Sequence, residues 1–327
     1  MAGGVLRWGL LSTARINRAL IPPLRASPRN ELAAVASRSQ AAADAYAQEW
    51  GIPRALGSYQ ALIDDPGIDV IYNPLPNHLH AEWSIRALRA GKHVLCEKPL
   101  ALTLEDVDRM AAASRETGRT LAEAFMYRHH PQTLKARELA RDGAIGRLQL
   151  IKGAFTFTLK KPDDYRLRPE MGGGSLWDVG CYPVSYARLV AEAEPLEVFG
   201  WQTLSPTGID ETFTGQMRFP DGVQAQFDCG FTSPYRTSIE IVGSEGAITV
   251  PEPFKPGAPG RLSLMRGEGT ETIEVDGQEL YSGEVEDMAD AVLLGKPPRV
   301  SLADSRGNAA AILALLESAR TGRPVLV

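Results

Sequence analysis

The chain has 327 residues, of which 44% are hydrophobic and 23% are charged, a composition typical of a globular protein long enough for two domains. Its formal net charge of −5 excludes a general nucleic-acid binder, whose surface would be basic. No apolar run approaches the roughly 20 residues of a membrane span, and residues 1–8 lack the apolar core of a signal peptide, so we expect a cytoplasmic protein.

Short strands and helices alternate through the first 124 residues. Thr103 and Asp106 form a capping box, Ser12 or Thr13 can cap the first helix, and Pro22-Pro23 should bend or end it. This alternation predicts a doubly wound parallel sheet of the Rossmann type. The predicted strands are 5–11, 31–37, 69–72, 94–96 and 120–124, and the predicted helices start near 14 and cover about 41–50, 80–90 and 103–114.

Beyond residue 126, strands follow one another without intervening helices, which favours an antiparallel sheet. We therefore predict two domains: a dinucleotide-binding domain over 1–125 and an α+β domain with an open, mostly antiparallel sheet over 126–327. The predicted strands are 148–159, 196–204, 211–219, 224–231, 238–242 and 247–250, the predicted helices are 131–143, 177–190, 284–294 and 303–319, and 251–260 is a proline-rich loop.

The charged pair Glu97-Lys98 stands where a predicted strand ends. Residues 94–96 form a short apolar run, and Pro99 ends the strand because proline lacks the N–H that a ladder requires. Ligands of open parallel sheets bind outside the carboxyl ends of the strands. Lys98 is therefore placed where a cation could meet a ligand, although a solvated lysine is the alternative.

The turn after the first strand has the position of a dinucleotide-binding fingerprint. Its three glycine positions hold Gly9, Leu11 and Ala14; alanine is tolerated at the third, whereas leucine at the second departs from the pattern. The following helix offers backbone amides and a positive dipole end to a pyrophosphate. A plain strand–turn–helix is the alternative. The predicted cofactor contacts here are Gly9, Leu11, Ser12, Thr13, Ala14, Arg15 and Ile16.

The end of the second strand discriminates between NAD and NADP. An NAD site places Asp or Glu there for the ribose hydroxyls, whereas this chain has Ser37-Arg38-Ser39. An arginine can pair with a 2′-phosphate and stack on adenine, and the serines can donate hydrogen bonds. We therefore predict NADP rather than NAD, with a solvated Arg38 as the alternative.

Five segments together resemble the glucose–fructose oxidoreductase/inositol dehydrogenase (Gfo/Idh/MocA) family of two-domain NAD(P)-dependent dehydrogenases. The Glu-Lys-Pro and Gly-Gly-Gly-x-Leu-x-Asp-x-Gly motifs are specific in combination. The resemblance implies that Lys98 is catalytic and that an open carboxyl-terminal sheet, often used for dimerisation, walls the substrate site. The matching segments are 9–14, 73–80, 97–100, 123–131 and 172–183.

Tyr182 indicates a branch of this family. One branch has a histidine four residues after the aspartate of the second motif, whereas this chain has Tyr182 after Asp178. It resembles the branch of dimeric dihydrodiol dehydrogenase, NADP-dependent D-xylose dehydrogenase and glucose–fructose oxidoreductase. The long export segment of the periplasmic glucose–fructose enzyme is absent, which favours an exchanging cytoplasmic cofactor.

Asp178 and Tyr182 stand four positions apart on a predicted helix and should face one side. Oxidising an alcohol requires a base for the hydroxyl proton. A neighbouring Lys98 ammonium would favour the phenolate of a tyrosine, whose ordinary pKa is about 10. We predict that Tyr182 is the acid/base, that Lys98 activates it and anchors substrate, and that Asp178 orients Lys98 or a sugar hydroxyl. The alternatives are a packing role for Tyr182 and an N-cap for Asp178.

The remaining site residues follow from the loops and from the resemblance. Four histidines, at 78, 80, 129 and 130, lack the carboxylates or cysteines of a metal site, and no C-x-x-C pair occurs, so we predict no metal. Further predicted cofactor contacts are Asn73, Pro74, Leu75, Asn77, His80, Glu97, Lys98, Arg166 and Tyr281, and predicted substrate contacts are Lys98, Tyr127, Tyr165, Asp178 and Tyr182.

These observations favour an NADP-dependent sugar or cyclic-polyol dehydrogenase, with aldopyranoses oxidised at C1 to lactones as the expected reaction. A trans-dihydrodiol dehydrogenase and a reductase of keto-sugars such as anhydrofructose are alternatives. A protein that binds NAD(P) as a sensor without turnover is the alternative of another class, against which the Lys98/Tyr182 pair argues. The expected partners are a small-molecule substrate and further copies of the chain, as a homodimer or homotetramer through the carboxyl-terminal sheet.

Overall fold

The computed structural model describes residues 4–327. The expectation of no signal peptide was drawn from residues 1–8, of which 1–3 lie outside the described residues. The chain divides into two compact units. The first contains the described residues up to His129 together with Tyr281–Arg306, and the second contains His130–Leu280 and Gly307–Val327. This division differs from the predicted boundary between residues 125 and 126, because residues 281–306 return to the first unit. There, Arg29 forms ion pairs with Glu286 and Asp290.

The first unit is built on a six-stranded parallel sheet, ordered β3-β2-β1-β4-β5-β6. This order confirms the predicted doubly wound sheet. Its elements are β1 Leu6–Leu10, α1 Asn17–Ala26, β2 Asn30–Ala36, α2 Gln40–Trp50, β3 Arg54–Leu56, α3 Tyr59–Asp64, β4 Val70–Asn73, α4 His80–Arg89, β5 His93–Glu97, α5 Leu104–Thr117 and β6 Leu121–Ala124.

Two features of this unit differ from the sequence predictions. Helix α1 begins at Asn17 without a side-chain cap and continues through Pro22 and Pro23, although we expected them to bend or end it. Neither β3 nor α3 was predicted, because both are too short for a periodic apolar pattern. Strand β3 consists of three half-exposed residues, and helix α3 consists of six residues in all. By contrast, Thr103 caps α5 as predicted, with its hydroxyl oxygen accepting from the Asp106 amide.

The second unit is built on a nine-stranded sheet, ordered β14-β13-β12-β11-β7-β10-β9-β8-β15. All its described neighbours are antiparallel except β7 and β10, which confirms the predicted open, mostly antiparallel sheet. The elements are α6 Pro131–Arg141, β7 Leu148–Thr158, α7 Cys181–Ala191, β8 Glu197–Leu204, β9 Asp210–Arg218, β10 Gln224–Gly230, β11 Thr232–Gly243, β12 Gly246–Val250, β13 Gly260–Arg266, β14 Gly269–Val275, α8 Ser282–Leu294 (in the first unit), α9 Leu302–Thr321 and β15 Val325–Leu326.

The helix predicted over 177–190 begins with an irregular turn. Residues Leu176–Gly180 form a π-helical turn, and regular α-helix starts at Cys181. Such single π turns are frequent at functional sites. Strands β13 and β14 were not predicted, because β14 is largely exposed and lacks an apolar face. Within residues 4–327, no helix combines the length and hydropathy needed to cross a bilayer.

Candidate active site

The loops of the first unit that carry predicted site residues lie at the carboxyl edge of its sheet. The strand order reverses between β1 and β4, which is the point where open α/β sheets bind ligands. Beyond β1, the Leu11 amide donates to the Tyr72 carbonyl at 2.9 Å. The turn between β1 and α1 therefore leaves the sheet beside the end of β4.

The turn after β1 is shaped by its own polar groups. Ser12 Oγ accepts from the Ala14 amide at 3.2 Å, and buried Asn17 donates from Nδ2 to the Ser12 carbonyl at 2.7 Å. A Cβ at Gly9 would lie 2.8 Å from Leu62 Cδ1, so this glycine allows α3 to pack on the sheet. The turn fits a pyrophosphate, since it opens a helix with no acidic residue in its first turn and exposes Arg15.

The segment after β2 places Arg38 at the same edge. Ser37 is buried, and its amide donates to the Leu56 carbonyl at 3.0 Å. Ser39 Oγ accepts from the Ala42 amide at 3.3 Å and so caps α2. Arg38 between them is exposed. A guanidinium at this strand end fits a 2′-phosphate, where a carboxylate would repel it.

The loop after β4 is held by the buried side chain of Asn73. Its Nδ2 donates to the His80 carbonyl at 3.2 Å and to Ser84 Oγ at 3.0 Å, and its Oδ1 accepts from the Leu75 amide at 3.3 Å. Asn73 is completely buried. These hydrogen bonds hold the loop to the start of α4, and the contact of Asn73 with the cofactor stays a prediction. Pro74, Leu75 and Asn77 are also buried.

Lys98 follows a carboxylate that the sheet fixes in place. Glu97 Oε1 accepts from the Tyr72 hydroxyl at 2.5 Å, and Oε2 accepts from the Lys98 amide at 3.3 Å. Burial and the charge of Glu97 raise the pKa of Tyr72 well above its ordinary value, so the hydroxyl stays a donor. The Lys98–Pro99 peptide is cis. Lys98 itself is half-buried at the carboxyl end of β5, as predicted.

The segment after Lys98 is held by another carboxyl group, that of Glu123, which was not predicted from the sequence. Glu123 in β6 is buried, and its Oε1 accepts from the Leu100 amide at 2.8 Å. Burial raises the pKa of Glu123 to about 7. The position of Glu123 near the end of the predicted strand 120–124 could have indicated this role, since parallel strands end at the same edge of a sheet.

Tyr127 and Tyr281 both lie inside the first unit. Tyr127 is completely buried, with its ring edge-to-face against Phe125 at 5.7 Å. This packing differs from the predicted contact of Tyr127 with substrate, because the ring is enclosed. Tyr281 is 8% exposed and contributes to the raised pKa of Tyr72, so it lies near that tyrosine.

In the second unit, the backbone of the glycine run before the π-helical turn lies so close to Asp210 that a side chain would clash there. Gly174 has φ 122°, and a Cβ there would lie 2.2 Å from Asp210 Oδ1. Asp210 Oδ2 accepts from Ser175 Oγ and from the Leu176 amide, each at 2.7 Å. Burial raises the pKa of Asp210 to about 6. Asp210, which the sequence analysis missed, therefore anchors the turn that carries Asp178.

Asp178 is paired with Arg166 in the second unit. Arg166 Nη1 lies 3.2 Å from Asp178 Oδ2, and its Nε lies 2.8 Å from Asp164 Oδ1. Burial lowers the pKa of Arg166, but its bonds with Asp164 and the charge of Asp178 outweigh this and raise it overall. The guanidinium also lies 5.3 Å from the Phe157 ring. Two carboxylates thus flank the guanidinium, and the contact of Arg166 with the cofactor stays a prediction.

Tyr182 occupies the first turn of α7 inside an aromatic cluster. Its ring centroid lies 5.3 Å from that of Phe155 and 5.2 Å from that of Phe254, and the residue is 6% exposed. These contacts hold the ring in one orientation. Tyr165, the other predicted substrate contact of this unit, is 36% exposed in a short 3₁₀ turn.

The described part of the chain contains no preformed metal-binding site. Within residues 4–327, His, Cys, Asp and Glu side chains form no group of three or more that could hold an ion. The three cysteines, Cys96, Cys181 and Cys229, are buried thiols without disulfide partners.

Two family models match the chain. One, described as an oxidoreductase family with an NAD-binding Rossmann fold, covers residues 6–125, and the GFO/IDH/MocA C-terminal domain covers residues 133–249. The chain is 38% identical over 325 residues to D-xylose 1-dehydrogenase (NADP(+)) 2 of Haloferax volcanii, covering 98% of this chain and 99% of that protein. It is 37% identical over 315 residues to a dTDP-3,4-didehydro-2,6-dideoxy-alpha-D-glucose 3-reductase of Streptomyces violaceoruber, covering 94% and 92%.

A third relative and two solved structures extend the comparison. Trans-1,2-dihydrobenzene-1,2-diol dehydrogenase of Danio rerio is 34% identical over 249 residues, covering 75% of this chain and 74% of that protein. A 3-ketoreductase from Actinomadura kijaniata, solved with NADP and TDP-benzene, superposes with a TM-score of 0.91 at 32% identity, covering 96% and 98%. Aldose-aldose oxidoreductase from Caulobacter crescentus, solved with glycerol, gives 0.92 at 28% identity, covering 99% and 100%.

Proposed function

The chain belongs to the GFO/IDH/MocA family of oxidoreductases, and from this premise we propose that it transfers a hydride between NADP(H) and a ring carbon of a sugar or cyclic polyol. The relatives include a xylose dehydrogenase and a dihydrodiol dehydrogenase, which confirms the family and branch that the motifs indicate. The observation that carries the proposal is Lys98, held at the carboxyl end of β5 by the Glu97–Tyr72 pair.

NADP is the cofactor of this proposal. When bound, it supplies a hydride acceptor at the nicotinamide ring, and its reduced form supplies the donor. The turn over 11–16 would hold the pyrophosphate with its amides, and exposed Arg38 would hold the 2′-phosphate. Two findings support NADP over NAD: the complex of the Actinomadura neighbour and the cofactor named for the Haloferax relative.

Arg38→Asp is expected to weaken NADPH binding by at least about 30-fold, because it replaces a charge-assisted hydrogen bond with repulsion of the phosphate. Preference should shift towards NAD, since a carboxylate at this strand end can accept from the ribose hydroxyls. Titration of NADPH and NADH fluorescence measures both affinities. Arg89→Asp, at an exposed arginine in the last turn of α4 and so at the opposite end of that helix from the carboxyl edge of the sheet, makes the same charge change and should leave them unaltered. Unchanged NADPH affinity in the Arg38 variant would refute the assignment.

In the proposed reaction, Tyr182 takes the proton of the reacting hydroxyl as the hydride leaves the carbon, and returns it in the reverse direction. Lys98 carries the positive charge that favours the phenolate and anchors the substrate oxygen. Asp178, fixed by Arg166 at 3.2 Å, orients a substrate hydroxyl. The Phe155 and Phe254 contacts support this role for Tyr182, since a fixed ring loses little freedom on reaction.

An aldopyranose oxidised at C1 to a lactone is the favoured substrate and direction, supported by the xylose dehydrogenase relative. Reduction of a keto-sugar is the second candidate, favoured by relatives named as 3-reductases and a 1,5-anhydro-D-fructose reductase. Absorbance at 340 nm distinguishes them: aldoses should produce NADPH, whereas keto-sugars would consume it. NADPH binding without turnover of any aldose, keto-sugar or dihydrodiol would instead indicate a sensor. The cytoplasmic location stays a prediction.

We also propose that a second copy of the chain covers the outer face of the nine-stranded sheet. Trp201 on β8 is 56% exposed, and its ring centroid lies 4.2 Å from that of Phe199 on the same face. Exposed aromatic side chains of this kind are the usual anchors of protein interfaces.

Trp201→Lys is expected to raise the dimer dissociation constant by about 30-fold or more, as loss of an interface anchor does. Light scattering across a dilution series measures it. Tyr235→Lys, at an aromatic residue of β11 with 58% exposure, is the matched control for an added charge. A Trp201 variant that assembles like the wild type would count against this face.

A further inference from the structure

His80 is the first residue of α4 and contacts two functional loops at once. Its Nδ1 lies 2.8 Å from the Pro99 carbonyl oxygen, and its Nε2 lies 2.7 Å from the Leu75 carbonyl oxygen. The ring is completely buried. Both ring nitrogens therefore contact backbone carbonyl oxygens, and the contact of His80 with the cofactor stays a prediction.

Each of these carbonyls belongs to a different part of the proposed site. Leu75 lies in the loop after β4, whose shape Asn73 also maintains through the Leu75 amide. Pro99 directly follows Lys98, and the next amide, that of Leu100, is held by Glu123. A single ring thus connects the loop assigned to the cofactor with the segment that carries the lysine.

The two contacts are chemically unequal at any instant. Both carbonyl oxygens are acceptors, whereas a neutral imidazole has one N–H to donate. Burial lowers the pKa of His80 to about 4, with the charge of Lys98 acting in the same direction, so the ring is neutral near pH 7. One carbonyl therefore accepts a hydrogen bond from the ring N–H, and the other is in contact with the unprotonated ring nitrogen.

We infer that His80 is a positioning residue whose two ring nitrogens hold the cofactor loop and the Lys98 segment separately. The inference rests on the proposed function for the meaning of the two loops, but its geometry lies wholly within the first unit. Nε2 would set the loop that meets the cofactor, and Nδ1 would set the backbone from which Lys98 projects.

Two substitutions separate these tasks. An asparagine amide nitrogen can occupy the place of Nδ1, and a glutamine amide nitrogen can occupy the place of Nε2. His80→Asn should therefore keep the Pro99 contact and release Leu75, whereas His80→Gln should keep Leu75 and release Pro99. We expect His80→Asn to weaken NADPH binding about tenfold with kcat at saturating cofactor nearly unchanged, and His80→Gln to lower kcat about 10–100-fold with NADPH affinity nearly unchanged.

Amide hydrogen exchange of the cofactor-free protein tests the same inference without catalysis. His80→Asn should speed exchange in 73–79 and not in 97–101, and His80→Gln should do the reverse. His93→Asn is the matched control: His93 is partly buried, accepts from the Thr120 amide at 2.9 Å, and, like His80, has its pKa lowered to about 4, but it lies at the amino end of β5. It should alter neither segment.

The outcomes separate this inference from the proposed function. If both His80 variants speed exchange in both segments, and affinity and kcat fall together with the melting temperature, the histidine is a packing residue and the inference is wrong. If exchange follows the expected crossed pattern while the wild-type protein binds no NADPH, the inference holds and the proposed function fails.

Discussion

Replacing Lys98 with alanine is expected to reduce kcat by about 10³-fold or more, with the NADPH dissociation constant changed by less than about threefold. In the proposed mechanism, the variant lacks the positive charge that would stabilise the Tyr182 phenolate and anchor the substrate oxygen. Glu97 and Tyr72 should keep their contact, since it involves no atom of the lysine side chain. Steady-state kinetics and a fluorescence titration of NADPH measure the two quantities.

Three comparisons sharpen the Lys98 experiment. Lys98→Met keeps an extended side chain without charge and should be as inactive as the alanine variant. Ethylamine added to the alanine variant should restore part of the rate, because it returns the ammonium group. Lys296→Ala removes an exposed lysine of the first unit that pairs with Asp290 at 2.8 Å and should retain full activity. A Lys98→Ala variant with near-normal kcat would contradict the catalytic role.

Tyr182→Phe is the second substitution with a large expected effect, a fall in kcat of about 10²–10⁴-fold. Phenylalanine retains the ring that packs against Phe155 and Phe254, so the fold should be unchanged. The hydroxyl is the group removed, and the pH dependence of kcat that its proton transfer causes should disappear. Kinetics across pH, with a melting curve for each protein, measures both effects.

The matched control for Tyr182 lies one helical turn further along α7. Tyr186 is also a buried tyrosine packed against Phe254, at 6.3 Å between ring centroids, and Tyr186→Phe should leave kcat within about threefold. Combining Lys98→Ala with Tyr182→Phe should cost little more than either change alone, because residues acting as one unit are not additive. Additive losses would show that the two residues act independently.

Much of the architecture was predictable from local patterns. The apolar run 94–96 between a helix end and Pro99 became β5, buried on both faces of a parallel sheet. Alternation over 148–159 became β7. The parallel pairing of β7 with β10 was not predictable, since Leu150 and its partner Gln224 are 74 positions apart and no local pattern records which strands meet.

The candidate site shows the same division. The motif placed Lys98 at a strand end, and the structure confirms that placement. Polar residue types alone could not distinguish a ligand contact from an internal bond, so Asn73, His80 and Arg166 were all assigned to the cofactor. In the structure, Asn73 bonds to backbone and to Ser84, His80 contacts two backbone carbonyls, and Arg166 pairs with Asp164 and Asp178, while their contacts with the cofactor stay predictions.

The sequence by itself therefore determined the two sheet types, the family and the strand end that carries the lysine, because these depend on periodicity and on motifs that are local in the chain. The tertiary structure alone decided which polar groups face one another. Asp210 meets Ser175 and Leu176 across 35 and 34 positions of chain. A hydrogen bond depends on distance in space, and strand pairing sets that distance independently of separation in the sequence.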